Sequence, residues 1–267
     1  MQGPNALPPP PPLRPRSVGE ILEAAFRLYT KYWVSLVEIV AVVVVPITLL
    51  QALVVNLLSE NTTTGPNGEV TIHEGSSGLL GGAALTGLIS FVMWQILIGA
   101  IAWAVASALI GREPDVADSF RFGYRRFWSI LLVGVLVGLA VFVGLILFII
   151  PGIIIGVRLS VSIPALVVER RRGTDALGRS WELVKGYSWP VFGAFIVVAL
   201  LNAIVSGVLT AIGGDNWFVA AIFGAIASCI TTPFFGLVLG LIYFDLRVRK
   251  EGLDVATLER ELQAASA

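Results

Sequence analysis

Two ionisable residues interrupt stretches of chain that are otherwise apolar enough for a membrane interior: Glu38 in "WVSLVEIVAVVVV" and Arg158 in "FIIPGIIIGVRLSVSIPALVV". Inside a span each costs at least about 2.5 to 3.5 kcal/mol to insert, so each needs a partner or a task. Glu38 is expected about five residues from the cytoplasmic start of its span, and Arg158 about six residues after an outer turn, nearer mid-membrane. If the guanidinium reaches toward the cytoplasm, it meets Glu38 directly or through Ser160, Ser162, Gln51 or Gln95, and the six residues form one intramembrane polar cluster. Two roles fit such a cluster. It ties helices together, with Arg158 reaching outward along its apolar stem, or it is a site for a substrate or a lipid headgroup.

Hydrolysis would need a nucleophile with a base, a carboxylate pair or a set of metal ligands. The single histidine, His73, shares a polar loop with Glu69 and Glu74, and no second His or nearby Cys completes a metal site around it. The single cysteine, Cys229, sits in "AIASCITTPFFG", where a lone thiol is a small packing residue and no disulfide within the chain can form. No phosphate loop, dinucleotide fingerprint or His-Glu-x-x-His sequence is present. The expectation is a protein with no catalytic, metal or cofactor-binding residues, and not an enzyme.

The elements that would position the polar residues follow from composition. Of 267 residues 56% are hydrophobic and 13% charged, and the mean hydropathy is +0.87. Soluble domains carry about 25% charged residues, so an integral membrane protein is predicted. The net charge is zero, which removes the overall basic field that nucleic acid would require. A spanning helix needs about 20 apolar residues, and six stretches qualify: about 34–58, 82–110, 129–150, 152–168, 191–212 and 218–244. Residues 129–168 as one straight helix would run about 60 Å, twice the hydrocarbon thickness, so the chain must fold back. Pro151-Gly152 is the expected turn.

Charge placement gives an independent count. Arg14 to Lys31, Arg112 to Arg126, Arg170 to Lys185 and Arg247 to Arg260 all fall on one side of a six-span arrangement, and Arg158 is the one base left over. The positive-inside rule then puts both termini in the cytoplasm of a multi-pass cell membrane protein. Tyr32, Trp33, Phe127, Trp128, Tyr187 and Trp189 stand where spans meet that interface, and Trp217 marks the outer side.

Three cytoplasmic segments share an acid, a large apolar residue two positions on, and an aromatic four beyond that. The sets are Glu20, Leu22 and Phe26; Asp118, Phe120 and Tyr124; and Asp175, Leu177 and Trp181. The i, i+4 spacing puts the last two of each set on one helical face. This predicts an all-α fold of three helical hairpins, each preceded by an amphipathic helix in the cytoplasmic interface. Ser17 with Glu20 has capping-box spacing, and Asp115 is placed to cap the second short helix. Pro164 should free a carbonyl near Ser160 and kink the fourth span. Gly134/Gly138, Gly152/Gly156 and Gly236/Gly240 offer close helix approach.

Three regions result: a proline-rich, disordered cytoplasmic tail over 1–16, a membrane domain over 17–250 and a cytoplasmic C-terminal tail over 251–267. The tail lacks the apolar core of a secretory signal, and Pro8 to Pro12 would form a short polyproline II stretch open to a protein partner. Membrane lipids are the other expected partner, through the basic cytoplasmic face.

Three stretches, "RPRSVGEILEAAFRLYTKYW", "VASALIGREPDVADSF" and "VRLSVSIPALVVERRRGTDALGRSWELVKGYSW", make the chain similar, from Arg14 to Arg249, to a bacterial and archaeal family: the glycerophosphoryl diester phosphodiesterase membrane domain with its YciC-like relatives. The last stretch is the most specific, with Arg158, Pro164, Glu169, Ala176, Ser180 and Trp181 in the family's order. In some members this membrane domain precedes a soluble catalytic domain. Residues 1–267 leave no room for one, so the resemblance implies the membrane fold without the hydrolysis. Two functions stay open: a non-catalytic scaffold or accessory protein of the envelope, and a transporter or lipid-handling protein with a polar site at Arg158.

Overall fold

Long apolar runs with few helix breakers leave the backbone little choice but to bond to itself, and in an apolar medium only a helix does so within one segment. The computed structural model describes residues 14–60, 62–64, 70–72, 77–169, 171, 173–214 and 216–266. Pro8 to Pro12, and His73 with Glu69 and Glu74, lie outside the described residues. The helices are α1 (Val18–Glu60), α2 (Ser77–Leu109), α3 (Val116–Arg125), α4 (Phe127–Leu147), α5 (Ile149–Leu159), α6 (Ser162–Val168), α7 (Gly173–Val184), α8 (Ser188–Gly213), α9 (Trp217–Glu251) and α10 (Val255–Ser266). Between α1 and α2 runs a small antiparallel ribbon, β1 (Thr62–Thr64) and β2 (Val70–Ile72), in register Thr63 to Thr71. Six segments are long and apolar enough to cross a membrane, with α5 and α6 together making the fourth. The chain is a multi-pass membrane protein.

α1 packs along α9 and α2, α8 along α9, and α4 against α5. α9 is the most buried of the six segments and α8 the least. Small residues set the closest approach. A Cβ on Gly240 would lie 2.9 Å from Val105 Cγ1, and one on Gly236 would run into Ile101, so this glycine pair admits α2 against α9. Gly134 admits the Gln95 side chain, while nothing lies within 4 Å of a Cβ on Gly138.

The turn between the third and fourth segments is at Phe148 (φ −160°, ψ 143°), not at Pro151-Gly152. Proline is tolerated in the first turn of a helix because its missing N–H would have no partner there. Pro151 therefore opens α5, three residues from the helix start, and the reversal falls on the residue before. Gly152 is needed for the close contact of α5 with α4: a Cβ there would stand 2.7 Å from Leu145 N.

Three breaks of nearly one geometry organise the chain. Tyr32 inside α1 (φ −118°, ψ 25°), Arg126 between α3 and α4 (φ −116°, ψ 17°) and Tyr187 before α8 (φ −122°, ψ 15°) each separate a short helix from a long one. Seven positions before each break stands a small residue with no exposed surface: Ala25, Ser119 and Ser180. Counted from the breaks, Glu20 and Asp175 occupy equivalent places twelve residues upstream, whereas Asp118 is only eight upstream. The second copy is thus displaced by one helical turn from the alignment made on sequence, and its counterparts are Pro114, Val116 and Phe120. Local caps hold the short helices. Ser17 N donates to Glu20 Oε2 at 2.7 Å, Glu20 N donates to Ser17 Oγ at 3.3 Å, and Asp118 N donates to Asp115 Oδ1 at 2.8 Å.

Residues 251–267, expected as a tail, carry the folded helix α10. Gly252 ends α9 in the left-handed region (φ 67°), Asp254 Oδ1 accepts from Thr257 N at 2.8 Å, and Leu253, Leu258 and Leu262 are buried. Leu258 and Leu262, four residues apart on α10, give the helix a face to bury against α2 and α6.

Replacing Gly240 by Leu should push α9 off α2 and cost about 1–3 kcal/mol, read as a lower thermal midpoint in detergent. Gly138→Ala, with open space around it, should leave that midpoint unchanged or raise it.

Candidate functional site

Pro164 cannot bond to the carbonyl four residues earlier, and the fourth segment breaks there: α5 stops at Leu159, and Ser160 and Val161 form a turn before α6. Three consecutive carbonyls at the break are each met by a serine. Ser160 Oγ donates to Val157 O at 2.8 Å, Ser180 Oγ to Arg158 O at 2.7 Å, and Ser162 Oγ to Leu159 O at 2.7 Å. Ser180 belongs to α7, so this bond docks the last turns of α7 on the break.

Docked there, α7 lays the Trp181 ring under the Arg158 guanidinium, 4.5 Å from Cζ to the ring centroid. The stack occupies one face of the planar cation. Its Nε is buried without a hydrogen-bond partner, and among the described residues the Arg158 side chain makes no hydrogen bond or ion pair.

Around this group lies a cleft of about 550 Å³ between α5 and α8. Ile150, Ile153, Ile154 and Val157, on the face of α5 that also carries Arg158, form one wall. Gly186, Ser188, Trp189 and Phe192, at the α7–α8 junction, form the other. Among the described residues no carboxylate lines it. Tyr187, at that same junction, lies 5.3 Å from Arg249 and 5.8 Å from Lys250, measured to its ring centroid. Arg158 therefore stands beside the start of α8, at the end of the bundle that holds these bases, rather than halfway along it.

The six residues expected to cluster are dispersed. Glu38 is exposed on α1 and has no hydrogen bond or ion pair among the described residues. Gln51 Nε2 donates to Ser90 Oγ at 2.8 Å, joining α1 to α2. Gln95 is buried under Gly134, and Ser160 and Ser162 serve backbone carbonyls. Of the repeat positions, Phe26, Tyr124 and Trp181 are exposed aromatics, and among the described residues only Trp181 faces a cation held on another helix.

A second polar system was not singled out from sequence. Glu169, after α6, accepts from Arg179 Nε at 2.9 Å on both oxygens and from Tyr243 OH at 3.0 Å. Arg247, 3.8 Å from Glu169, donates to Glu261 through Nη1 and Nη2 at 2.8 and 2.9 Å and to Glu251 at 3.1 Å. Arg179 also pairs with Glu251. Burial alone would lower the Arg179 pKa; its hydrogen bonds to Glu169 and Glu251 outweigh burial and raise it. Beside this network, Asp245 accepts from Arg249 Nε and from Arg16 N, both at 2.6 Å. One signal was available: Tyr243, Arg247 and Glu251 are four apart, on one face of α9.

Among the described residues no group of three or more His, Cys, Asp or Glu could hold a metal ion. Comparison of the chain with models of protein families, with curated proteins and with solved structures finds no match, so the reading of the site rests on its geometry.

Ser180→Ala should strand the Arg158 carbonyl and cost about 1–3 kcal/mol, seen as a lower melting midpoint together with a changed Trp181 emission. Glu169→Ala removes the carboxylate that accepts from Arg179 Nε and Tyr243 OH while Glu251 still pairs with both arginines, and a loss of about 1–3 kcal/mol is expected.

Proposed function

We propose that this chain is a non-catalytic, lipid-handling protein of the cell membrane that holds a lipid in the cleft between α5 and α8. The observation that carries the reading is Arg158: a cation whose side chain makes no hydrogen bond or ion pair among the described residues, at one end of an apolar cleft lined by the exposed Ile150, Ile153 and Ile154. A charge in such surroundings is costly unless something pairs with it. An amphiphile with a polar head and an apolar chain supplies both halves of the match.

The proposal includes a topology. The six spans form three hairpins, each entered through a short helix in the cytoplasmic interface, with both termini cytoplasmic. The three similar breaks, the exposed Trp33, Trp128 and Trp189 just after them and the one-sided placement of Lys and Arg support it. The kinship with the glycerophosphoryl diester phosphodiesterase membrane domain and its YciC-like relatives belongs to the same proposal.

A second reading, a scaffold or accessory protein for envelope partners, is favoured by the ion-paired plate that joins Glu169, Arg179, Arg247, Glu251 and Glu261. Its charged groups bind one another across α7, α9 and α10, as a fixed platform would. A photoreactive side chain at Glu259 on α10 should then give one adduct of discrete mass in cells, and a diffuse or absent product counts against the scaffold.

For the lipid reading, the chain purified in detergent and analysed by native mass spectrometry should keep one lipid after delipidation. Filling the cleft with Ile154→Trp should release it, and retention unaffected by that change overturns the reading. For the topology, with Cys229→Ser as background, an impermeant maleimide added to intact cells should label Thr71→Cys and spare Glu259→Cys.

A further inference from the structure

The three breaks each border a cleft, and comparing the three clefts narrows what the third can take. Beside the first break, Tyr29, Trp33 and Val37 of α1 face Ile222, Ile226 and Cys229 of α9 around about 410 Å³ of space whose lining contains no charged residue. Beside the second, Tyr124 and Arg126 to Ser129 face Ile96 around about 380 Å³; Arg126 already donates to the Leu166 carbonyl at 3.3 Å. Only beside the third does the cleft hold a guanidinium whose side chain makes no hydrogen bond or ion pair among the described residues.

We infer, resting on the lipid reading above, that the occupant of the α5–α8 cleft is a net-anionic phospholipid of the cytoplasmic leaflet, its phosphate held edge-on by Arg158 and one acyl chain laid along α5. Trp181 covers the face of the guanidinium and fixes its plane. The edge it leaves open presents paired N–H donors, the arrangement that matches two phosphate oxygens at once. From that edge Ile154, Ile153 and Ile150 continue up the same face of α5, opposite Phe192. Eight residues of helix are about 12 Å long, a length along which an acyl chain stays in contact with apolar side chains. Across the cleft stands Ser188, whose hydroxyl donates to Val184 O at 3.5 Å and is neutral.

Net charge follows from what the lining lacks. A zwitterionic head brings an ammonium group, and the cleft offers it no carboxylate, while that ammonium already compensates part of the phosphate's charge. A lipid with no cation of its own keeps the whole attraction to Arg158. Leaflet follows from position: Arg158 lies beside the α7–α8 junction, next to Tyr187 with Arg249 and Lys250, the end proposed to be cytoplasmic.

The test uses the full chain, delipidated in neutral detergent, and titrates three probes monitored by native mass spectrometry: dioleoyl phosphatidylglycerol, dioleoyl phosphatidylcholine and inorganic phosphate. Wild-type protein should bind the phosphatidylglycerol about tenfold more tightly than the phosphatidylcholine, in line with a charge-assisted bidentate contact. Inorganic phosphate should bind far more weakly than either lipid. Arg158→Leu should erase the preference, and Arg158→Lys, which keeps the charge without the fork or the stack, should recover only part of it. Equal binding of the two lipids overturns the anionic class and leaves the lipid reading standing. No binding of either lipid overturns both. Inorganic phosphate binding as tightly as phosphatidylglycerol assigns the site to a soluble anion instead. Full recovery with Lys overturns the edge-on grip. The wild-type ranking decides the matter even where Arg158→Leu does not fold.

Discussion

The hydroxyl of Ser180 donates to the carbonyl of Arg158 at 2.7 Å, and the course of the chain from α5 into α8 depends on that contact. An apolar medium offers no water to a carbonyl that has lost its helical partner, and Pro164 ensures that the helix is interrupted near this point. Ser160 and Ser162 serve the carbonyls on either side from within the broken segment. Only the middle one is served from elsewhere in the chain. Drawing Ser180 to it brings α7 against α5, sets Trp181 under the guanidinium and starts α8 across from the isoleucine face. The cleft is therefore a consequence of how a broken helix satisfies its backbone.

The two polar systems of the protein answer the cost of burial in opposite ways. Where α6, α7, α9 and α10 meet, Glu169 and Glu251 are each shared between Arg179 and Arg247, and Arg247 with 6% of its side chain exposed finds three carboxylates within 4 Å. Such a network fixes relative helix positions, and losing one member leaves the others buried and unbalanced. At the break in the fourth segment the stack on Trp181 satisfies a ring face and none of the N–H donors. The first arrangement pairs its charges within the chain; the second leaves Arg158 Nε without a hydrogen-bond partner.

How much could be read beforehand depended on the range of the interaction. Interactions within one turn were legible: the Ser17–Glu20 box, the Asp115 cap and the break before Pro164 follow from neighbours in sequence, and the six segments from hydropathy summed over a helix length. Pro151 misled because its chemistry serves the start of a helix as readily as a turn, and the backbone took the former. The pairing of Arg158 with Glu38 assumed that two lone charges in one medium must find each other, whereas a tryptophan from the next short helix reached the arginine. Glu169, Arg247 and Glu261 lie up to 92 positions apart in the chain, and no local pattern joins them until α7, α9 and α10 converge. The displaced second copy shows the same limit, since acid and aromatic spacing matched one turn away from the true break.

The three breaks share one backbone geometry while their surroundings differ. In the first two, the neighbouring cleft is either without charge or has its arginine tied to a carbonyl. Repetition gives a membrane fold redundancy: when the same elbow occurs three times, two can be kept for holding the helices together and one released from that duty. A single-copy bundle would have to sacrifice cohesion to expose an uncompensated guanidinium. Here the guanidinium without a hydrogen bond or ion pair among the described residues stands beside one of the three breaks, and the helix contacts at the other two do not depend on it.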